Sequence, residues 1–543
     1  MDKLPMSQAS ASSPFMRDFE APGRSVAMGR NGMAATSHPA ATLTAIEVLR
    51  AGGNAIDAAI AACAVQCVVE PAMTGIGGDC FALYAPNGGA EIHAFNGAGR
   101  SPAGSDAEAL RRQGHARIPP HIAAAVTIPG AIDAWCRLSA DHGSMRLGEL
   151  LQPAIAYARD GYAVTPRVAF DWRNAEPVLA ARPATAEAFL TQGRAPAAGT
   201  VHRLPQLAET LAAIAEHGRD ALYTGPVAEE LVETLRAEGG SHNLADFANH
   251  AGQYVTPVRA SFGDYEVVEC PPPGQGIIVL LILGILERLP RSGGPLDPAR
   301  LHLEIEAVRQ AYAVRDAALA EGSPKSVEEF LAPRFLDKLA ALIDTKSAAT
   351  ELHGYPGPEH RDTVYITVVD RHRNAASFIN SIFWGFGSGI LAPRSGVLLN
   401  NRGSGFSLVP GHRNSLAPGR QPLHTIIPAM LTRKGRVVMS FGVMGGHYQA
   451  MGQAALLSKV LEQGLDLQTA IDLPRLFPDP MTGKIEAEAT LPASSRAGLE
   501  ALGHSFMAAD DPIGGAQAIW IDHATGVLTG GSDPRKDGCA LGY

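Results

Sequence analysis

The sequence changes character at Thr363, and this change limits the possible folds more than any other feature. Residues 33–70 and 130–255 carry the spacing and the breaking residues of helices, whereas the chain after Thr363 consists mainly of short strands. TVYITVVD (363–370) is rich in β-branched and aromatic residues, and it begins directly after the polar loop ELHGYPGPEHRD (351–362). The second part is therefore predicted to be β-rich, with helices packed on its strands.

Strands are also predicted on both sides of this boundary. In the first part, residues 73–86 are predicted to form a glycine loop followed by a strand, and further strands are predicted at 91–97 and 262–270. In the second part a hairpin (363–370 and 376–383) is followed by strands at 396–401, 424–432 and 436–443 and by three short ones in KIEAEA, AQAIWID and GVLTGGS. Residues 1–32 are polar and broken by prolines, which predicts a flexible N-terminal tail.

Length and charge exclude several classes of protein. The 543 residues fit two or three domains or one large interlocked domain, and 46% hydrophobic with 18% charged residues is typical of a folded soluble protein. The formal net charge is −9 and no Lys/Arg-rich run is present, so we expect no nucleic-acid partner.

The apolar segments and the cysteines indicate a cytoplasmic protein. The N-terminus has no apolar signal segment, and the longest apolar run, GIIVLLILGIL (276–286), is about half of the ~20 residues that span a bilayer. We therefore expect a buried helix there and no membrane partner. Six scattered cysteines form no CxxC pair, and Cys63 and Cys67 are interpreted as buried core residues.

The common catalytic signatures are absent. The chain contains no GxSxG, HExxH or GxxxxGK[ST] motif, and its histidines lack metal-ligand spacing, so neither a metal nor a cofactor is predicted. Glycine loops occur at GIGGD (75–79), GFGSG (385–389), NRGSGF (401–406) and MGG (444–446). None of them has the strand–GxGxxG–helix context of a dinucleotide site.

Thr363 offers a different chemistry. A hydroxyl is a weak nucleophile until a base takes its proton, and the α-amine of the same residue, with an ordinary pKa of about 7.7–8.0, is a base suited to neutral pH. Thr363 gains that amine only if the chain is cut before it, and the loop 351–362 would allow such a cut. The alternative at this point is an ordinary strand that begins with threonine.

The sequence from about Ala34 to Tyr543 resembles the γ-glutamyltransferase family of N-terminal nucleophile hydrolases. The stretches that carry the resemblance occur in family order; they are ATSHPAATLTAIEVLRAGGNAIDAAIAA, EPAMTGIGGDCFAL, VTIPGAIDAW, PPPGQGIIVLLILGILE, DTVYITVVD, GFGSGIL, GVLLNN and SDPRKDG. The resemblance implies an α+β fold, the four-layer αββα sandwich, in which two antiparallel sheets lie between helix layers.

The resemblance also implies a self-cleaving precursor. The chain would be cut between Asp362 and Thr363, leaving a large subunit that ends at residue 362 (tail 1–32, body 33–362) and a small subunit, 363–543. The two subunits would stay together as one interlocked catalytic unit, which could form homo-oligomers.

By the same resemblance, Thr363 is the nucleophile and its α-amine the base, and the acyl group passes to water or to an amine acceptor. Gly445 and Gly446 align with the glycine pair whose backbone N–H groups form the oxyanion hole. Ser381 lies where the family often has a threonine that hydrogen-bonds the nucleophile, and a serine retains that hydroxyl.

The chain departs from the family where the γ-glutamyl α-amine is held. The family uses an Asn, a Gln and an Asp there, and the aligned residues are Phe383, Arg402 and Gly405. An apolar ring and a hydrogen cannot accept from an ammonium group, and an arginine repels it. Arg402 therefore suggests an acyl group that ends in a carboxylate without a neighbouring amine; the alternative is a salt-bridged loop arginine.

Other pocket candidates follow from the alignment. His424 and Thr425 align with the family's serine pair near the α-carboxylate, and Arg100 in FNGAGRSP is a candidate for the carboxylate-binding arginine. His447 could also line the pocket; for both histidines the alternative is ordinary packing.

Three functional hypotheses result. The first is an autoprocessed amidohydrolase or acyltransferase that acts on a small acyl amide, such as an oxamate-like or glutaryl-like dicarboxylic monoamide. The second is a true γ-glutamyltransferase or glutathione hydrolase, acting in glutathione metabolism. The third is an unprocessed, non-catalytic relative, which the joint presence of Thr363, Ser381 and the Gly445–Gly446 pair argues against.

Overall fold

Two seven-stranded antiparallel sheets occupy the middle of the computed structural model, which describes residues 23–291, 293–322, 326–349, 363–480 and 482–543. The strands are, in chain order, β1 (Ala27–Gly29), β2 (Met33–Ala35), β3 (Asp79–Ala85), β4 (His93–Gly97), β5 (Tyr162–Ala163), β6 (Val201–His202), β7 (Gln253–Val255), β8 (Val258–Phe262), β9 (Tyr265–Glu269), β10 (Val364–Val369), β11 (Ala375–Ser381), β12 (Leu391–Ala392), β13 (Val397–Leu398), β14 (Ala429–Arg433), β15 (Arg436–Met444), β16 (Leu476–Pro478), β17 (Ile485–Ala487), β18 (Phe506–Ala508), β19 (Gly515–Ile521), β20 (Leu528–Ser532) and β21 (Ala540–Gly542).

Each sheet combines strands from both predicted subunits. One sheet has the order β1-β20-β19-β15-β14-β9-β8 and the other the order β21-β2-β10-β11-β3-β4-β7. The strand that follows Thr363, β10, lies between β2 of the first part and β11 of the second. Separating the residues before 362 from those after it would therefore break the backbone hydrogen bonds of both sheets.

Helices cover the outer faces of the sheets. They are α1 (Pro39–Arg50), α2 (Ala55–Val69), α3 (Ala107–Arg112), α4 (Ala131–His142), α5 (Leu147–Leu150), α6 (Gln152–Asp160), α7 (Pro166–Asn174), α8 (Glu176–Ala180), α9 (Pro183–Phe189), α10 (Pro205–His217), α11 (Asp220–Tyr223), α12 (Gly225–Ala237), α13 (Leu244–Ala248), α14 (Gly276–Leu286), α15 (Pro298–Ala318), α16 (Val327–Phe330), α17 (Pro333–Ala340), α18 (Tyr448–Leu457), α19 (Leu467–Asp472) and α20 (Ala493–Ala501). Asn54 caps α2, and its side chain accepts from the backbone N–H groups of residues 56 and 57.

Alternate side chains of β10 face different cores. Val364, Ile366 and Val368 pack with α2 in one hydrophobic cluster, while Tyr365 and Val369 lie in a second cluster between the two sheets. A third cluster joins α14, α15 and α18 to the far side of the other sheet. This helix–sheet–sheet–helix order confirms the predicted four-layer αββα sandwich.

The apolar segment 276–286 forms α14, whose residues are all buried. Among the helices of the described ranges, none combines the length and the apolar character that crossing a membrane requires.

The structure differs from the sequence-based expectation in several places, and the strand expected at 396–401 is only the two-residue β13. Residues 258–269 form a hairpin of two strands, because Gly263 adopts a positive φ of 56° and turns the chain. The strand expected from residue 424 begins only at Ala429. Of the expected tail, residues 23–32 are described, and within them β1 pairs with β20.

Candidate active site

Thr363 lies directly before β10 and is buried, with 1% of its surface exposed. Its hydroxyl donates to the Ser381 Oγ at 3.5 Å and accepts from the Gln449 Nε2 at 3.4 Å. The nucleophile candidate is therefore held from two sides by uncharged polar groups. The predicted cleavage partner, Asp362, lies outside the described residues.

Ser381 reaches Thr363 because of the strand register. It ends β11, and the pairing of Val364 with Asn380 places Ser381 opposite Thr363. The Ser381 Oγ also accepts from the backbone N–H of Phe383 at 2.9 Å, which fixes the hydroxyl. The structure thus brings these two predicted site residues together.

Gly445 and Gly446 form the turn between β15 and α18. Their φ angles are 115° and 54°, in the region that favours glycine, and a Cβ on Gly445 would lie 2.8 Å from the Gly514 Cα. The Gly445 carbonyl accepts from the Tyr448 N–H at 2.9 Å, so the N–H of the same peptide, which belongs to Gly446, points away from the helix. The pair therefore presents a backbone donor that no side chain shields.

Gln449 is a site residue that the sequence reasoning missed. It lies in the first turn of α18, and its Oε1 accepts from the Ile427 N–H at 3.2 Å while its Nε2 donates to Thr363. The sequence feature that could have revealed Gln449 is the helical pattern right after the glycine pair, because this pattern places Gln449 and Gln453 on one helix face.

A small pocket is lined by Phe383, Gly405, Thr425, His447 and Arg315, together with Asp316, Leu319, His412, Asn414 and Leu423. Phe383 has a positive φ of 84°, a conformation that costs a bulky residue on the order of 1 kcal/mol or more. This cost is offset by the hydrogen bond that the Phe383 N–H donates to Ser381 and by the stacking of the Phe383 ring on the guanidinium group of Arg402. Phe383 therefore links the nucleophile's partner to the pocket.

Arg402 lies beneath the pocket and is fully buried. Its Cζ is 4.2 Å from the centre of the Phe383 ring, its Nη1 donates to the Thr425 Oγ1 at 3.1 Å, and its Nη2 has no hydrogen-bond partner among the described residues. Burial lowers the pKa of Arg402 to about 10, and the nearby Asp79 carboxylate opposes the shift, so the guanidinium remains charged at neutral pH.

Asp79 joins Arg402 to His424. Its Oδ2 accepts from the His424 Nε2 at 2.9 Å and lies 3.5 Å from the Arg402 Nε, while its Oδ1 accepts from the Gly99 N–H at 2.8 Å. Burial and the Arg402 charge lower the pKa of His424 to about 4, which keeps the ring neutral at physiological pH. Asp79 was missed because the single acid that ends GIGGD carries no motif.

The structure places the remaining predicted pocket residues as follows. Thr425 and Phe383 line the pocket, whereas Arg402 and His424 lie one layer below it. Arg100 is elsewhere: its side chain is 42% exposed, pairs with Glu321 at 2.7 Å and donates to the Gly419 carbonyl at 2.8 Å. The structure does not bring Arg100 to the nucleophile.

A separate buried cluster contains His302, Glu306 and His504. The His302 Nε2 donates to the Asp344 carbonyl at 2.8 Å, so its Nδ1 accepts from the His504 Nε2, also at 2.8 Å. Glu306 pairs with Arg309 at 2.7 Å. These hydrogen bonds account for the cluster as a polar link between α15 and the loop after α20.

Comparisons with known proteins agree with this geometry. Residues 41–543 match the family model described as gamma-glutamyltranspeptidase. The chain is 37% identical to the oxamate amidohydrolase proenzyme of Klebsiella pneumoniae over 94% of this chain and 98% of that protein. It is 34% identical to the glutathione hydrolase-like YwrD proenzyme of Bacillus subtilis, over 95% and 99%.

A solved structure gives the same result in three dimensions. The cephalosporin acylase from Bacillus halodurans superposes with a TM-score of 0.89 at 35% identity, over 99% of both chains. The sequence and the structure thus match the same group of proteins along nearly their whole length. The protein belongs to the gamma-glutamyltranspeptidase family and is an N-terminal nucleophile hydrolase that acts on amide bonds.

Proposed function

We propose that the protein is a self-processing amidohydrolase that hydrolyses a small monoamide of a dicarboxylic acid, in the manner of oxamate or a glutaryl amide. The observation that carries this proposal is the Arg402 guanidinium, which lies charged and buried under Phe383. By the resemblance, Arg402 aligns with a residue that holds the substrate ammonium in the family. The Klebsiella relative that is named for oxamate supports it.

Processing is the first step of the proposed mechanism. The Thr363 Oγ1 attacks the carbonyl carbon of Asp362, the peptide nitrogen leaves as the new α-amine of Thr363, and an ester joins the two residues. Water then hydrolyses the ester and releases the carboxylate end of residue 362. The two segments remain associated because their strands share both sheets.

Substrate hydrolysis repeats this chemistry between molecules. The Thr363 α-amine takes the proton of its hydroxyl, and the oxygen attacks the amide carbonyl. The N–H groups of Gly445 and Gly446 stabilise the oxyanion, and the proton passes to the leaving nitrogen as the acyl-enzyme ester forms. Water then attacks the ester, releases the carboxylic acid and restores Thr363. Ser381 and Gln449 orient the nucleophilic oxygen throughout.

The pocket selects a carboxylate through Thr425. Because the Thr425 Oγ1 accepts from Arg402, its own proton can be donated to a ligand, and the cation polarises that donor. A carboxylate on the acyl group gains from this donor and from the positive charge behind it. A γ-glutamyl α-amine would meet the same charge and the Phe383 ring, neither of which accepts a hydrogen bond.

The proposal is tested on purified protein. A denaturing gel is expected to show two bands split near residue 362, and N-terminal sequencing of the smaller band should read TVYIT. The processed protein is then given oxamate, a glutaryl amide and a γ-glutamyl anilide. Turnover of a dicarboxylic monoamide supports the proposal, whereas brisk turnover of the γ-glutamyl anilide alone makes the protein a glutathione hydrolase-type enzyme and contradicts it.

A further inference from the structure

The proposed oxyanion hole lies on an intrinsically soft piece of backbone. Gly445 and Gly446 are consecutive, both have positive φ, and neither has a side chain to restrict it. An oxyanion hole is effective only when its donors already point at the developing charge. The fold must therefore supply the rigidity that these two residues lack.

Gln275 contacts the glycine pair from outside. It is fully buried before the first turn of α14, and its Nε2 donates to the Gly446 carbonyl and to the Thr425 carbonyl, each at 3.1 Å. Its Oε1 accepts from the Arg315 Nη1 at 3.3 Å. Its own backbone N–H donates to the His424 carbonyl at 2.9 Å, which anchors the residue to the pocket wall.

Arg315 determines which way the Gln275 amide faces. A guanidinium only donates, so the amide oxygen must lie toward Arg315 and the amide nitrogen toward the two carbonyls. The reverse orientation would place an NH2 group against the guanidinium and an oxygen against two carbonyl oxygens. Arg315 is itself fixed, since its Nε pairs with Asp316 at 2.7 Å and its Nη1 donates to the His447 Nδ1 at 2.8 Å.

We infer that Gln275 is a positioning residue for amide hydrolysis: it fixes the Gly446–His447 peptide and thereby aims the oxyanion-hole N–H of Gly446. The peptide before Gly446 is held by the Tyr448 N–H, and the peptide after it is held by Gln275 and by the Gln449 N–H at 3.3 Å. Because the carbonyl groups of both peptides accept hydrogen bonds, the orientation of the Gly446 N–H is fixed. This inference rests on the proposed function, because it assigns the glycine pair to the oxyanion.

The test is Gln275→Glu, which keeps the shape of the side chain but replaces the donating NH2 by an oxygen. The matched control is Gln453→Glu: Gln453 is also fully buried, and its Nε2 donates to the Ile427 carbonyl at 2.7 Å, away from the glycine pair. With active sites counted by the acyl-enzyme burst, kcat of Gln275→Glu is expected to fall about tenfold or more with KM within about twofold. Gln453→Glu should keep kcat within about twofold of the wild type.

A pH profile separates positioning from a loss of packing. When the carboxyl group introduced by Gln275→Glu is protonated, it can donate to one of the two carbonyls, so the ratio of variant to wild-type kcat is expected to rise as the pH falls. A merely structural role would change the amount of folded protein and leave kcat per active site and its pH profile unchanged. Equal kcat per site in Gln275→Glu and the wild type, or a change in KM alone, overturns the inference.

A second variant tests the inference if Gln275→Glu does not fold or is not processed. Arg315→Lys keeps a cation but loses the planar guanidinium, whose Nε and Nη1 are directed at Asp316, Gln275 and His447, so we expect a smaller fall in kcat; an unchanged kcat overturns the inference. Failure of the proposed function looks different: there, the processed wild-type protein hydrolyses no amide. If the wild type is active and Gln275→Glu has the same kcat, this inference is contradicted while the proposed function stands.

Discussion

The part of the site that breaks the amide bond and the part that holds the acyl group are built in different ways. Around Thr363, positions are set by backbone geometry: the register of β10 with β11 and the positive φ of Gly445 and Gly446. In the acyl pocket, charge and polarity are set by a few side chains, above all by the stacked pair Arg402–Phe383. Backbone geometry changes only with the fold, whereas the pocket can change its ligand by single substitutions.

The largest expected effect comes from removing the nucleophile. Thr363→Ala is expected to leave a single full-length band on a denaturing gel and to abolish amide hydrolysis, because no other group supplies both the hydroxyl and the adjacent amine. Thr367→Ala is the control: Thr367 is buried in the same strand and bonds the Ser440 Oγ at 2.8 Å, away from the site. Cleavage of Thr363→Ala at residue 362 would show that another residue performs the processing.

The next effect tests the backbone half of the comparison. Gly445→Ala should lower kcat about 100-fold, because the new Cβ meets the Gly514 Cα and the positive φ disfavours it. Gly435→Ala is the matched control, since Gly435 also has a positive φ, 73°, but has open space around its Cβ position. Steady-state kinetics on the processed proteins distinguish the two. Equal losses in both variants would mean that strain alone, and not the oxyanion donor, is measured.

A smaller effect tests the pocket half. Arg402→Gln is expected to raise KM for a dicarboxylic monoamide roughly tenfold or more, with little change in kcat, because the charge that favours the acyl carboxylate is lost. An amide of similar size without the carboxylate is the control substrate and should be unaffected. Similar KM changes for both substrates would refute the role of Arg402 in reading charge.

Stability must be controlled in that experiment. Removing Arg402 leaves the buried Asp79 carboxylate without its cation, which costs about 3–5 kcal/mol. The double variant Asp79→Asn/Arg402→Gln removes both charges and is expected to recover most of the free energy of unfolding without recovering the low KM. Denaturant unfolding followed by kinetics on the same samples checks both statements.

The last prediction concerns folding rather than kinetics: it is the pH dependence of the free energy of unfolding. The pKa of His424 is lowered from 6.5 to about 4 in the folded protein, so below pH 6.5 the unfolded chain binds a proton that the folded protein does not. His424 therefore does not lower the free energy of unfolding above pH 6.5. Between pH 6.5 and 4 its contribution lowers the free energy of unfolding by about 3 kcal/mol. His424→Gln should flatten that fall, whereas the exposed His217→Gln should leave it unchanged; equal slopes would contradict the buried neutral ring.

The comparison also explains what the sequence could predict. The family resemblance singled out Thr363, Ser381 and the glycine pair as site residues, and the strand register brings the first two together. Asp79, Gln275 and Gln449 were missed because their roles arise from side chains that meet across the two layers, for example Asp79 with His424, 345 residues apart in sequence. Arg100 is the opposite case: the sequence suggested it as a binder of the substrate carboxylate, but in the fold it pairs with Glu321.

The fold was predictable to a similar degree. The β-branched and aromatic residues of TVYITVV and the apolar run of α14 predicted the correct elements, and the family resemblance predicted their layers. The hairpin at 258–269 was missed because one glycine decides whether the chain turns.

One measurement tests the central claim most directly: mass spectrometry of the processed protein, quenched during turnover of a dicarboxylic monoamide. The account predicts a small fragment that begins at Thr363 and carries the added mass of the acyl group on that residue. An intact chain, or an unmodified Thr363 with the acyl mass on another residue while the substrate is being hydrolysed, would contradict it.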